Sequence, residues 1–221
     1  MLNSCVAQNV QIKDENLKKA ILEQGIDKNN NGLFEDDEIN NVTKLKLDEK
    51  NISDISGIEK FKNLTYLNLR KNNISDFSKL NNLLNLEELV IGDNISIEVL
   101  DVSNLKNLKG LYAFRLGLKE IKFGSVQIKN LSLQNNLFTE FETQNFPDLY
   151  TLDLSGCKIL KKLDLSKNTK LVQLYLLGTD IENLNVKENI ILKTMYIELK
   201  VKLEKTEMQK DLKPAPIIKS Y

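Results

Sequence analysis

Leu64-Thr65-Tyr66-Leu67-Asn68-Leu69-Arg70-Lys71-Asn72-Asn73-Ile74 is the stretch that decides the fold. Its form is L-x-x-L-x-L-x-x-N-x-L. The phrase returns along the chain, starting at Val42, Leu64, Leu86, Leu108, Ile128, Leu149, Leu171 and Leu192. Successive starts are 22, 22, 22, 20, 21, 22 and 21 residues apart. A near-constant step means one structural unit copied along an axis, each copy burying its apolar face on the next. Within each copy, x-L-x-L-x alternates, which predicts a short strand with its leucines turned inward and its x residues on the opposite face. Eight such strands, spaced ~4.8 Å apart, make a parallel sheet about 34 Å across.

A period of this length carrying this phrase marks a leucine-rich repeat. The expected fold is an α/β solenoid with short parallel strands on the concave face, a mostly irregular or 3-10 convex side and an α-helical N-terminal cap. Four regions follow: 1–13, a leader left from a secretion signal; 14–41, the cap; 42–202, about eight repeats; and 203–221, a C-terminal cap and tail. Leu203–Lys213 is charged and is expected to form a closing helix before Pro214 and Pro216 end regular structure.

The Asn position of the phrase turns the chain off the strand and bonds backbone groups of neighbouring coils. That column reads Lys50, Asn72, Asn94, Leu116, Asn136, Cys157, Thr179 and Lys200. Cysteine is an accepted alternative there, so Cys157 reads as a buried structural thiol. Leu116 breaks the column in the shortest coil. That coil is either a local irregularity or a surface remodelled for a ligand.

Composition narrows the function. Lys plus Arg equals Asp plus Glu, 31 against 31, so the chain has no electrostatic footprint for nucleic acid. Histidine is absent, which removes the commonest general base and metal ligand. No P-loop, G-x-S-x-G or H-E-x-x-H motif occurs, and the chain reads as not an enzyme. A carbohydrate-active enzyme, the main catalytic alternative, needs two carboxylates ~5–9 Å apart. The concave acids Asp48, Glu88, Asp153 and Glu198 instead fall on separate coils. No run of ~18 apolar residues exists to span a membrane.

Met1–Gln8 is short and uncharged, like the tail of a secretory signal. Leu2-Asn3-Ser4-Cys5 has the L-x-x-C form of a lipobox, which would make Cys5 a lipid anchor. The alternative is cleavage after Ala7 or Gln8, with Cys5 discarded.

Asp14–Gln24 reads as an amphipathic helix, with Leu17, Ala20 and Ile21 on one face, Asp14 as cap and Gly25 as stop. Such an element shields the first coil from water. Next, Asp27-Lys28-Asn29-Asn30-Asn31-Gly32-Leu33-Phe34-Glu35-Asp36-Asp37-Glu38 matches D-x-[DN]-x-[DN]-G-x5-E, the calcium loop of an EF-hand. Asp27, Asn29 and Asn31 would offer side-chain oxygens, Leu33 its carbonyl, Glu35 a ligand through water and Glu38 both carboxylate oxygens. The expected cofactor is therefore calcium, in a structural role. With few charged ligands the affinity belongs near 10⁻⁴ M, roughly the range of extracellular modules. The bland alternative is that Asn and Gly simply build a turn.

Asn51-Ile52-Ser53-Asp54-Ile55 and Asn73-Ile74-Ser75-Asp76-Phe77, with Asn63 through Leu69, resemble the repeats of the bacterial internalins. Leu163-Asp164-Leu165-Ser166-Lys167-Asn168-Thr169-Lys170-Leu171 is similar to repeats of secreted Bacteroidetes-type leucine-rich proteins. So is the cap, from Val10 to Leu45. The resemblance spans residues 10–202. It implies a secreted or surface-attached binding protein, extracellular in location and in some members an adhesin.

The strand face is where contacts with a partner are expected. Its central column is Lys46, Asn68, Val90, Tyr112, Ser132, Asp153, Tyr175 and Tyr196, flanked by a column containing Phe114 and Leu177 and another containing Tyr66. Tyr66, Tyr112, Phe114, Tyr175, Leu177 and Tyr196 are the candidate ligand-binding residues, because aromatics on a rigid sheet offer contact area at low entropic cost. Four of the six tyrosines fall there, although strands favour tyrosine anyway. The expected partner is an extracellular protein or glycan, bound by a monomer. The alternative role is a structural spacer in a surface assembly.

Overall fold

The computed structural model describes residues 10–214. Cys5, Pro216 and both readings of the leader lie outside the described residues. In chain order the elements are α1 (Glu15–Leu22), α2 (Asp36–Ile39), β1 (Lys44–Lys46), β2 (Tyr66–Asn68), β3 (Glu88–Val90), β4 (Val99–Val102), β5 (Gly110–Tyr112), β6 (Glu120–Phe123), β7 (Asn130–Ser132), β8 (Thr151–Asp153), β9 (Gln173–Tyr175), β10 (Asn183–Asn185), β11 (Thr194–Tyr196) and β12 (Lys202–Glu204). Single 3-10 turns occupy Ile58–Lys60, Ser78–Asn82 and Glu207–Gln209. Eight strands form one parallel sheet in the order β1-β2-β3-β5-β7-β8-β9-β11. The fold is a leucine-rich repeat solenoid.

Alternation sets the register. Leu45, Leu67, Leu89, Leu111, Leu131, Leu152, Leu174 and Met195 pair side by side across the sheet and are all buried. One residue further along each strand, Lys46 to Tyr196 line up as the central column read from the sequence. A slip of one residue would turn every leucine to water, so the pattern locks the register.

The cap is tied to the array by one carboxylate. Asp14 Oδ1 accepts the N–H of Leu17 and so caps α1. Its Oδ2 accepts from Ser53 N, Ser53 Oγ and Asp54 N of the first coil. Burial pushes the Asp14 carboxyl up, but the bonds from Ser53, Leu17 and Asp54 outweigh it and hold the group below its ordinary value.

The asparagine column bonds backward to the preceding coil. Asn136 Oδ1 accepts from Leu116 N and Leu118 N, both at 3.1 Å, and its Nδ2 donates to Ala113 O and Leu133 O at 2.8 Å. Asn72 repeats the pattern on Lys50, Ile52, Leu47 and Leu69. Asn94 donates to Leu69 O and Ile91 O. Cys157 Sγ reaches Leu133 O at 3.5 Å, and burial pushes this thiol up to about 11, which keeps it protonated and inert. Leu116 is a buried apolar rung with no side-chain bond to give.

A second polar ladder, on the convex side, was not foreseen. Asn168 Nδ2 donates to Thr143 O and Phe146 O. Asn189 Nδ2 donates to Leu165 O and Asn168 O, and Gln209 Nε2 to Val186 O and Asn189 O. These residues stand three before Leu171, Leu192 and Leu212, the position that Phe61, Leu83 and Leu105 hold in earlier coils. One column thus passes from apolar packing to hydrogen bonding along the array.

The mostly irregular convex side carries, besides its 3-10 turns, two small parallel sheets, β4 with β6 and β10 with β12. The cause is local alternation, as in Glu120-Ile121-Lys122-Phe123, whereas the 3-10 turns carry apolar residues three apart, as Ile58 and Phe61. One expectation needs correcting: the closing helix over Leu203–Lys213 is absent, and only the 3-10 turn Glu207–Gln209 forms there. Leu203 lies in β12, which pairs with β10, and Gln209 then enters the convex ladder as its last rung. Pairing an open strand edge and satisfying buried carbonyls outweighs the weak helical preference of a charged segment with no apolar stripe.

Candidate functional site

All six candidate contact residues stand half-buried on the concave sheet or its rim. Tyr175 and Tyr196 come together, their rings stacked with centroids 5.3 Å apart and planes 9° from parallel. Adjacent parallel strands set neighbouring side chains about 4.8 Å apart, which suits this stacking. Leu177 flanks the pair in the next column. Burial, the neighbouring Tyr196 and Asp153 raise the Tyr175 phenol, so it is neutral in ordinary conditions.

Phe114 follows β5, the fourth of the eight strands, and glycine makes its berth. Its ring lies over Gly92, where a Cβ would come within 2.5 Å of ring carbons. The Arg115 guanidinium stands 5.1 Å from the ring centroid and that of Arg70 stands 6.0 Å away. Both arginines bond Asp93, which the Arg115 bond above all holds below its ordinary value. The ring is therefore held by a glycine floor and a cationic frame. Tyr112 leans over Gly110 toward Glu88. Burial raises the phenols of Tyr112 and Tyr66, and Glu88 adds to both.

Between the clusters the face is polar. Ser132 Oγ donates to Gln134 Oε1 at 2.7 Å, Gln134 Nε2 donates to Asp153 Oδ2, and Ser155 N donates to Asp153 Oδ1 at 2.9 Å. Burial raises the Asp153 carboxyl. The structure does not join the two aromatic clusters into one patch; this polar centre separates them.

Arg115 and Asp93 were missed as site residues. They occupy left-handed backbone positions just past the strand, in a column with Glu49 and Lys71. Lys71 pairs with Glu49 at 2.8 Å, just as Arg115 pairs with Asp93. The signal was present: opposite charges one repeat apart, 71 against 49 and 115 against 93.

In the cap loop, the residues named for calcium form a turn. Asp27 Oδ2 accepts Gly32 N at 2.8 Å, Asn29 Oδ1 accepts Asn31 N at 3.0 Å and Asn31 Oδ1 accepts Leu33 N at 2.8 Å. Glu38 takes Lys28 N at 2.7 Å and Glu35 N at 3.3 Å, and Glu35 Oε1 takes Asn31 Nδ2. Lys28 N is the main cause holding the Glu38 carboxyl below its ordinary value. Among the described residues no three Asp, Glu, Cys or His side chains gather into a metal-ligating group. One atom stands out: Glu35 Oε2 is buried without a hydrogen-bond partner. The donor set is all oxygen and suits a hard cation.

Comparison with known proteins agrees with the fold. The leucine-rich repeat family profile matches residues 62–76. No curated protein matches the chain. Among solved structures, the functional domain of InlJ from Listeria monocytogenes is similar at 27% identity and a TM-score of 0.67, covering 79% of this chain and 41% of that one. The chain thus spans well under half of that domain. That domain includes a cysteine ladder; here the asparagine column holds a single cysteine, Cys157. Internalin C2 from the same organism is similar at 18% identity and a TM-score of 0.66, covering 90% of both chains. Internalin InlF gives 22% identity and a TM-score of 0.57, over 90% of this chain and 73% of its own. No helix among the described residues is long and apolar enough to cross a membrane. The chain is an internalin-like leucine-rich repeat solenoid, a fold of protein-binding modules.

Proposed function

We propose that the chain is a secreted or surface-attached recognition module that holds an extracellular protein or glycan on its concave face. The observation that carries this reading is the pair of aromatic clusters on one rigid sheet, Phe114 framed by Arg70 and Arg115, and Tyr175 stacked on Tyr196. Aromatic and arginine side chains dominate binding hot spots, and a preformed sheet pays little entropy on contact. The test is a screen of the purified chain against arrays of extracellular proteins and glycans, beside a Phe114→Ala/Tyr175→Ala variant. A specific hit weakened about 100-fold or more in the variant, as two lost anchors predict, supports the reading. A hit of unchanged affinity moves the site off this face. A blank screen favours the spacer role.

In the same reading, calcium is a structural ion of the cap, held by Asp27, Asn29, Asn31, Glu35, Glu38 and the Leu33 carbonyl. The partnerless Glu35 Oε2 supports it. The ion would stiffen the join between cap and first coil, because binding to the folded state alone raises stability. In millimolar calcium the melting temperature is expected to rise by a few degrees, and Asp27→Ala/Glu38→Ala should lose the rise. An identical melting curve with calcium and with chelator sinks the assignment.

A further inference from the structure

On the convex side the stacking of strands is interrupted. β6 pairs with β4 on one side only, and its other edge is open. The next coil follows it as far as the bond from Leu137 N to Leu118 O and then parts from it. Among the described residues no backbone hydrogen bond joins Thr139–Glu142 to β6. A cleft of about 560 Å³ opens between them.

The cleft has a floor of aromatic rings. Phe123 packs edge-on against Phe146 at 4.8 Å and Phe141 at 6.4 Å, and Phe138 against Phe141 at 5.2 Å. Phe123 and Phe141 remain half-exposed. The rim is acidic. Glu120, Glu140 and Glu142 line it, are exposed and take part in none of the ion pairs among the described residues. The one lysine on the rim, Lys119, is already bound to Glu98 at 2.6 Å.

We propose that this cleft is a second recognition site, distinct from the concave face, which takes an extended peptide segment with alternating basic and apolar residues. The three features each select one property of the occupant. An open strand edge pairs with another extended backbone, the geometry of strand addition. A phenylalanine floor takes the apolar side chains that fall on one face of that strand. Period-two alternation then presents the other side chains to the rim, where unpaired glutamates favour Lys or Arg. Four residues of β6 give the pairing its length, so a segment of about seven residues fills the edge with an overhang at each end.

The probe is a capped seven-residue peptide alternating lysine and valine, titrated by calorimetry into the whole chain at physiological salt. Three comparisons run beside it: a glutamate–valine peptide, a lysine–valine peptide N-methylated at alternate amides, and a Glu140→Lys/Glu142→Lys variant. Both glutamates are exposed, so the variant should fold, and its melting curve checks this. Expected are saturable binding of the lysine peptide, a loss of about tenfold or more in the charge-reversed variant, and a similar loss on N-methylation. Phe114→Ala/Tyr175→Ala should bind the peptide as the wild type does, which separates this site from the concave one. No binding overturns the proposal, as does equal binding of the glutamate peptide or of the N-methylated peptide. Peptide binding lost in the concave variant but kept in the charge-reversed one also overturns it, by placing the peptide on the other face.

Discussion

Asn136→Ala is expected to destabilise the chain by about 4 kcal/mol, measured as a fall in the urea unfolding midpoint. Four bonds meet at this buried side chain: two received from Leu116 N and Leu118 N, two given to Ala113 O and Leu133 O. Truncation leaves three buried backbone groups without partners and Leu133 O with only the long contact from Cys157 Sγ, each lost partner worth roughly 1–3 kcal/mol, partly offset by water or relaxation. The position is more demanding than its neighbours because Leu116, in the coil before, supplies no side-chain bond. Asn136 is then the one side chain of its column that holds that coil's turn from below. A measured loss under about 1 kcal/mol would mean that the apolar columns carry the stacking alone.

Asp14→Ala is expected to cost about 2–3 kcal/mol. Loss of the helix cap accounts for ~1 kcal/mol, and loss of three charge-assisted bonds to the first coil for the rest, discounted because they are partly solvated. A pH dependence follows. The folded carboxyl sits below its ordinary value, so on acidification the unfolded chain takes up the proton first. The contribution is complete above the unfolded value, about 3.9, and is lost as pH falls through the folded one. Stability of the wild type should therefore drop more steeply on acidification than that of Asp14→Asn, which still offers an oxygen to the cap. Parallel acid titrations of the two proteins would refute this role for Asp14.

The concave half of this solenoid was legible because two residues decide it. In each coil the pair of inward leucines fixes strand, face and register, and near-constant repeat steps then line up columns such as Lys46 through Tyr196 without reference to loops. The convex half resisted the same treatment. Its strands are no shorter than the concave ones but hold no fixed place in the repeat: Val99–Val102 and Glu120–Phe123 pair where earlier coils use 3-10 turns. The second ladder was hidden because its column opens with Phe61, Leu83 and Leu105 and only later becomes Asn168, Asn189 and Gln209. A column that changes chemistry midway does not read as a column. Gln209 also explains the misread C-terminal segment: its role lies in carbonyls about twenty residues upstream, invisible to local helix propensity. At the concave site the aromatic residues were found, but their settings were not. Gly92 under Phe114, and Arg115 reaching back to Asp93, are relations between coils rather than properties of a position.

The interrupted convex stacking also bears on the outline of a ligand. Coils held strand to strand on the inside and parted on the outside, between β6 and Thr139–Glu142, lean away from each other at that one gap; past it the Asn168, Asn189 and Gln209 ladder ties them again. The bend lies behind the neighbouring pair Tyr112 and Ser132. Phe114 and the Tyr175–Tyr196 pair lie to either side of that bend and therefore tilt toward each other. A flat surface laid on such an arc rests on one aromatic group at a time, whereas a rounded knob seats against both.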